Sequence, residues 1–106
     1  MSTFDEREQA FEAKFQHDEE LRFKILVRRA KLLGLWAASK MGLSGAGAEE
    51  YAQRLVEGSV NFRNEQALID QVHADLMKGG SDISRHRVER HAAECFTEAR
   101  RQHIEE

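Results

Sequence analysis

Proline is absent from this 106-residue chain, and threonine stands only at Thr3 and Thr97. Little in the chain therefore breaks helices or favours strands. The single cysteine, Cys95, excludes an internal disulfide and fits a reducing compartment. No uncharged apolar run approaches the ~20 residues that a membrane-spanning helix needs. The opening MSTFDEREQAFEAKF lacks both the apolar core of a signal peptide and the basic bias of a transit peptide. What remains is 41% hydrophobic and 33% charged residues, the composition of one soluble globular domain with a helical bias. A chain of this length buries roughly 65% of its unfolded surface, enough to fold without disulfide staples. The net charge of −3 argues against nonspecific nucleic-acid binding, and no RNA-reading pattern is present.

That average hides a reversal of sign. Residues 1–20 hold Asp5, Glu6, Glu8, Glu12, Asp18, Glu19 and Glu20 against only Arg7 and Lys14. Residues 21–42 hold Arg22, Lys24, Arg28, Arg29, Lys31 and Lys40 without an acid, together with the only tryptophan, Trp36. Leu21, Ile25, Leu32, Leu33 and Trp36 share one side of a 3.6-residue period, which predicts a central helix over 21–41. Before it, Thr3-Phe4-Asp5-Glu6 has the form of a capping box, and Phe4, Phe11 and Phe15 align as a narrow aromatic stripe.

Two readings fit this N-terminal segment. It is either the first core helix of a bundle or a mobile arm that turns helical on a partner. Burying three phenylalanines yields about 5–9 kcal/mol. Ordering some fifteen residues costs roughly 1 kcal/mol or more each. A partner would therefore also have to pair the charges and enclose the segment in a groove.

Downstream, Gly42 suits a left-handed C-cap, and Ser44-Gly45-Ala46-Gly47 reads as a turn. A helix over 46–58 buries Ala48, Tyr51, Ala52, Leu55 and Val56, and Gly58 to Asn64 reads as a connection with Asn61 or Asn64 as N-cap. A helix over 64–79 buries Leu68, Ile69, Val72, Leu76 and Met77 and stops at Gly79-Gly80. Ser84 caps the last helix, 84–104, whose inward face is Val88, Ala92, Cys95, Phe96, Ala99 and His103. The fold expected is all-α: an antiparallel four-helix bundle over 21–106 behind an N-terminal arm over 1–20.

Catalytic chemistry finds little purchase, and no enzyme is expected. His91 and Cys95 have the i, i+4 spacing of metal ligands, but His86 and His103 are not adjacent on that face, so no metal and no cofactor is expected. No nucleophilic triad or phosphate-binding loop occurs. Lys24, Arg28 and Lys31, at i, i+4 and i+7, form a basic ridge. It is either a solvated face, a partner for the acidic arm, or a site for phosphate or a nucleotide such as ATP or ADP. His17 beside Asp18-Glu19-Glu20 would favour its proton and could tune the junction of arm and bundle with pH.

The segment FDEREQAFEAKFQHDEEL followed by RRAKLLGLWAA resembles the ζ subunit of alphaproteobacterial F1-type ATP synthases, a family of ATPase inhibitor proteins. The likeness is strong over residues 4–38 and rests on two separated blocks; beyond them it lies mainly in helix order and length. It implies a noncatalytic inhibitor whose N-terminal segment enters a catalytic interface between α and β subunits of F1, near γ, and blocks ATP hydrolysis. On that likeness Phe4, Arg7, Glu8, Phe11, Lys14 and Phe15 would make the contacts, and Leu32, Leu33, Leu35 and Trp36 would be scaffold. It also implies a bacterial cytoplasmic protein held at the inner membrane through the synthase. Knowing the family favours the mobile, partner-folding reading of the arm. Where the family pattern has an acidic Pro-Gly turn after the second helix, this chain has Gly58-Ser59-Val60-Asn61-Phe62.

Overall fold

The computed structural model describes the backbone over residues 2–61 and 64–105 and the side chains over 19–58 and 64–103. Four helices account for nearly all of it: α1 (Ser2–Lys40), α2 (Gly45–Asn61), α3 (Glu65–Lys78) and α4 (Arg85–Glu105), with no strand among the described residues. The sign reversal at Glu20/Leu21 falls inside α1, which runs through it without a break. No glycine precedes Gly34, so nothing between arm and bundle interrupts the hydrogen-bond ladder. The expectations of a capping box at Thr3 and of a titrating His17 concern side chains that lie outside the described residues.

The helix ends follow from local chemistry. Gly42, at φ 81°, lets the Leu43 N–H reach the Ala38 carbonyl at 2.9 Å and the Gly42 N–H reach that of Ser39, a Schellman stop. Gly80, at φ 83°, repeats it, with the Ser81 N–H on the Leu76 carbonyl. Asn64 caps α3 by accepting from the Gln66 N–H at 2.9 Å, and Ser84 caps α4 by accepting from the Arg87 N–H at 3.2 Å. The expected connection from Gly58 is shorter than read: α2 continues to Asn61, because one glycine at a helix end costs only about 1 kcal/mol.

Contacts along α1 fix the topology. Gly34 abuts Ala52 and Leu55 of α2, while Trp36 stacks on His91 and Arg29 lies by Phe96 of α4, so both helices run antiparallel to α1. Arg29 meets Glu65 and Met41 meets Gly79, so α3 runs in the same direction as α1. The core is Leu33, Ala37, Ala38, Tyr51, Leu55, Leu68, Ile69, Val72, Leu76, Ile83, Val88, Ala92 and Cys95, with Leu32 and Trp36 packed at its margin. One expected core residue is not there: Met77 is 59% exposed. At 100° per residue it stands well off the face shared by Leu68, Ile69, Val72 and Leu76. Phe96 and His103 are half-buried rather than inward.

A close helix–helix approach comes from residues that a search for large apolar side chains passes over. Ala30, Gly34 and Ala38, at i, i+4 and i+8, are all buried on α1. A Cβ on Gly34 would stand 2.8 Å from the Ala52 Cα and 3.1 Å from its Cβ, so the backbones of α1 and α2 nearly touch.

Arg29 is the one buried charged residue among those described. Its Nη1 donates to Glu65 Oε1 at 3.1 Å, its Cζ lies over the Phe96 ring 5.9 Å from the centroid, and its buried Nε has no partner among the described residues. Burial lowers the guanidinium pKa, against the opposing pull of Glu65. Because an incompletely satisfied buried charge contributes little net stability, Arg29→Met is expected to unfold within about 1 kcal/mol of the parent or above it. Glu65→Ala, which strands the cation, is expected to cost about 1 kcal/mol, Glu65 itself being half in water. Urea unfolding of both variants checks the pair.

Candidate functional site

The basic ridge of α1 lines a groove of about 540 Å³. Phe23, Lys24, Val27, Arg28 and Lys31 come from α1, Gln53 and Val56 from α2, and His103 from α4. The groove exists because α2, drawn onto α1 at Gly34, is followed past its contact by Gln53 and Val56, while the last turn of α4 brings His103 to the same end. No acid is among its lining residues, and Phe23 on its wall is 53% exposed. Three cations on one stripe, an open aromatic face, and amide and imidazole groups suit an anion attached to an apolar or aromatic body.

All three ridge residues named from the sequence are thus brought together, and Phe23 joins them. Gln53, Val56 and His103 were not legible as members, because their place depends on how α2 and α4 cross α1. The other sequence-named residues, Phe4, Arg7, Glu8, Phe11, Lys14 and Phe15, belong to α1 by backbone, and their side chains lie outside the described residues.

A second hollow, of about 390 Å³, lies between α2 and α3 and is lined by Tyr51, Arg54, Leu55, Gly58, Gln71 and Asp75. Tyr51 Oη donates to Asp75 at 2.8 Å and Gln71 Nε2 donates to the other oxygen at 2.9 Å, so the carboxylate is already engaged. Burial and that hydrogen bond raise the Tyr51 pKa. This is a tether between helices.

The histidine and cysteine side chains are placed apart in function. His91 stacks on Trp36 with ring centroids 4.0 Å apart and planes 18° from parallel. Burial pushes the Cys95 thiol up to about 11, which keeps it protonated and inert at neutral pH. Among the described residues no group of three His, Cys, Asp or Glu could hold a metal ion.

Burial against Trp36 holds the His91 imidazole below the usual histidine range; Glu94 opposes that shift, and Arg87 and Lys40 add to it. The unfolded chain therefore takes up the proton first, at about pH 6.5. Stability is full above that pH and is lost as pH falls from it toward the folded value. Thermal unfolding of the parent and of His91→Gln, compared across about pH 5 to 7.5, is expected to show a weaker acid-side decline in the variant.

No helix in the described residues is long and apolar enough to cross a membrane. Nothing among curated proteins or solved structures matches the chain. The family model described as ATPase inhibitor subunit zeta matches residues 1–102, taking in the N-terminal half of α1, the helical core and every lining residue of the basic groove but His103. With that match covering nearly its full length, the chain belongs to the ATPase inhibitor subunit zeta family.

Proposed function

We propose that this protein is a noncatalytic inhibitor of ATP hydrolysis by F1Fo-ATP synthase, acting through the N-terminal half of α1 at a catalytic α/β interface of F1. The observation that carries the reading is the length of α1. Counting along the antiparallel helices from Gly34–Ala52 and Trp36–His91, α2 ends level with Ile25 and α4 level with Arg22. The α1 helix, starting at Ser2, runs far beyond them, and the family match includes that extension.

In this reading Phe4, Phe11 and Phe15 fill apolar slots in the interface, while Arg7, Glu8 and Lys14 pair with charges of the α, β and γ subunits. The bundle is the carrier, and the complex sits on the cytoplasmic side of a bacterial inner membrane through the synthase. The test is ATP hydrolysis by F1-ATPase titrated with the full chain and with a chain lacking residues 1–19. Inhibition by the full chain alone supports the reading, and equal effects of the two overturn it.

The groove favours a second reading, a small nucleotide- or phosphate-binding module. It gathers Lys24, Arg28 and Lys31 beside the open ring of Phe23, the pairing of phosphate cations with a stacking surface. That reading predicts saturable shifts of the Lys24, Arg28 and Lys31 amide resonances on adding ATP with no ATPase present. Unchanged resonances at millimolar ATP would exclude it.

A further inference from the structure

The extension of α1 and the basic groove meet at one end of the bundle. Counted antiparallel from Trp36–His91, His103 of α4 stands level with Lys24. The groove therefore opens on the stretch of α1 that follows where the extension joins the bundle. A protein enclosing residues 2–20 would have its rim about 6 Å from Lys24 along the axis and about 17 Å from Lys31. Those turns of α1 are the part of the bundle nearest to it.

The cations at that place are not engaged inside the fold. Arg29, Arg85 and Arg101 each meet a carboxylate of their own chain. Lys24 and Lys31 are exposed, and neither meets a carboxylate among the described residues. With Arg28 between them they follow a line of about 10 Å, one cation to each turn. No acid is among the lining residues of the groove. Along its wall, one turn apart, stand the exposed ring of Phe23 and the half-buried Val27. A partner helix with carboxylates one turn apart beside an apolar residue matches both rows.

Continuity selects the owner of that helix. Extension and ridge lie on one unbroken helix, so a partner that grips the first fixes where the second stands. No hinge lies between them to swing the ridge away. The rim of the interface that the extension enters is the surface set before the ridge.

We propose that the ridge of Lys24, Arg28 and Lys31 is a second docking surface, seating an acidic helix of F1 at the mouth of the interface that residues 2–20 enter. The inference rests on the inhibitory reading above. It gives the bundle a part beyond carrying the extension: its positive ridge draws the chain to the mouth and sets the rate at which the extension engages.

The full chain carrying Lys24→Gln and Lys31→Gln keeps its extension, its core and Arg28. Its inhibition of F1-ATPase is expected to set in about tenfold more slowly than the parent's at low ionic strength, with the difference closing in roughly 0.5 M salt. Damage to the fold would not disappear with salt, and circular dichroism checks the fold directly. In the complex of the parent chain with F1, a water-soluble carbodiimide joins lysine amines to carboxylates that touch them. It is expected to couple Lys24 or Lys31 to an aspartate or glutamate of an F1 subunit, identified by mass spectrometry of the joined peptides. An onset unaltered by the two substitutions, or ridge lysines coupled to no F1 carboxylate, would overturn the inference while inhibition by the parent stands. A parent that does not inhibit at all would remove the inhibitory reading, and this inference with it.

Discussion

A chain carrying Phe11→Ala and Phe15→Ala is expected to lose about three orders of magnitude in inhibitory affinity for F1-ATPase while unfolding at the parent's temperature. Aromatic anchors buried at the centre of an interface typically cost about 2 kcal/mol or more each on truncation, and two such losses multiply to about a thousandfold. The stability half of the expectation rests on the core, whose largest fully buried side chains among the described residues are Leu33, Leu68, Val72, Leu76 and Val88, all in the bundle. Titrated hydrolysis assays and thermal melts on the same preparation separate the two effects. A fall of several degrees in the melting midpoint, with inhibition retained, would mean that those rings belong to the bundle.

Gly34→Leu is expected to have the largest effect on folding. The first carbon added would already lie 2.8 Å from a backbone atom of Ala52, and the next atoms would meet Leu55. Backbone cannot swing aside as the tip of a side chain can, so α2 must lift from α1 along its length. A gain of about 1 kcal/mol in helix propensity offsets part of an overpacking cost of about 3 kcal/mol or more. The remaining 2 kcal/mol or so lowers the unfolding midpoint of a 106-residue domain by roughly 8–16 °C. Gly34→Ala is expected to show the same change at smaller size. Since α2 supplies Gln53 and Val56 to the groove, Gly34→Leu is also expected to weaken any ligand of that groove.

Much of this architecture was legible in the chain. The helix stops at Gly42 and Gly80 and the caps at Asn64 and Ser84 are local chemistry, and the buried faces of α3 and α4 follow from a 3.6-residue period. What escaped depends on how helices approach one another. Ala30, Gly34 and Ala38 contribute little hydrophobicity, so a pattern weighted by large side chains passes over the close approach of α1 to α2 at Gly34. Met77 follows Leu76 as an apolar neighbour, but the 100° step between them carries it off the face that Leu68, Ile69, Val72 and Leu76 share. The ridge of Lys24, Arg28 and Lys31 was readable as a stripe of charge; its companions on α2 and α4 were not, since nothing in their own neighbourhoods marks them.

The unbroken course of α1 changes the energetics of anything that binds its N-terminal half. Starting a helix in a free peptide fixes several residues before the first hydrogen bond returns any energy, a barrier of about 4 kcal/mol. Here the bundle supplies the nucleus: residues beyond Leu21 are held helical by packing, and each residue toward the N-terminus needs only to propagate the ladder. The cost of ordering reckoned for an isolated coil is therefore an upper bound for this chain. Propagation also has a direction. Helix grows outward from the bundle, so Phe15 is set in place before Phe11, and Phe11 before Phe4, and a partner engaging this segment meets its anchors in that order.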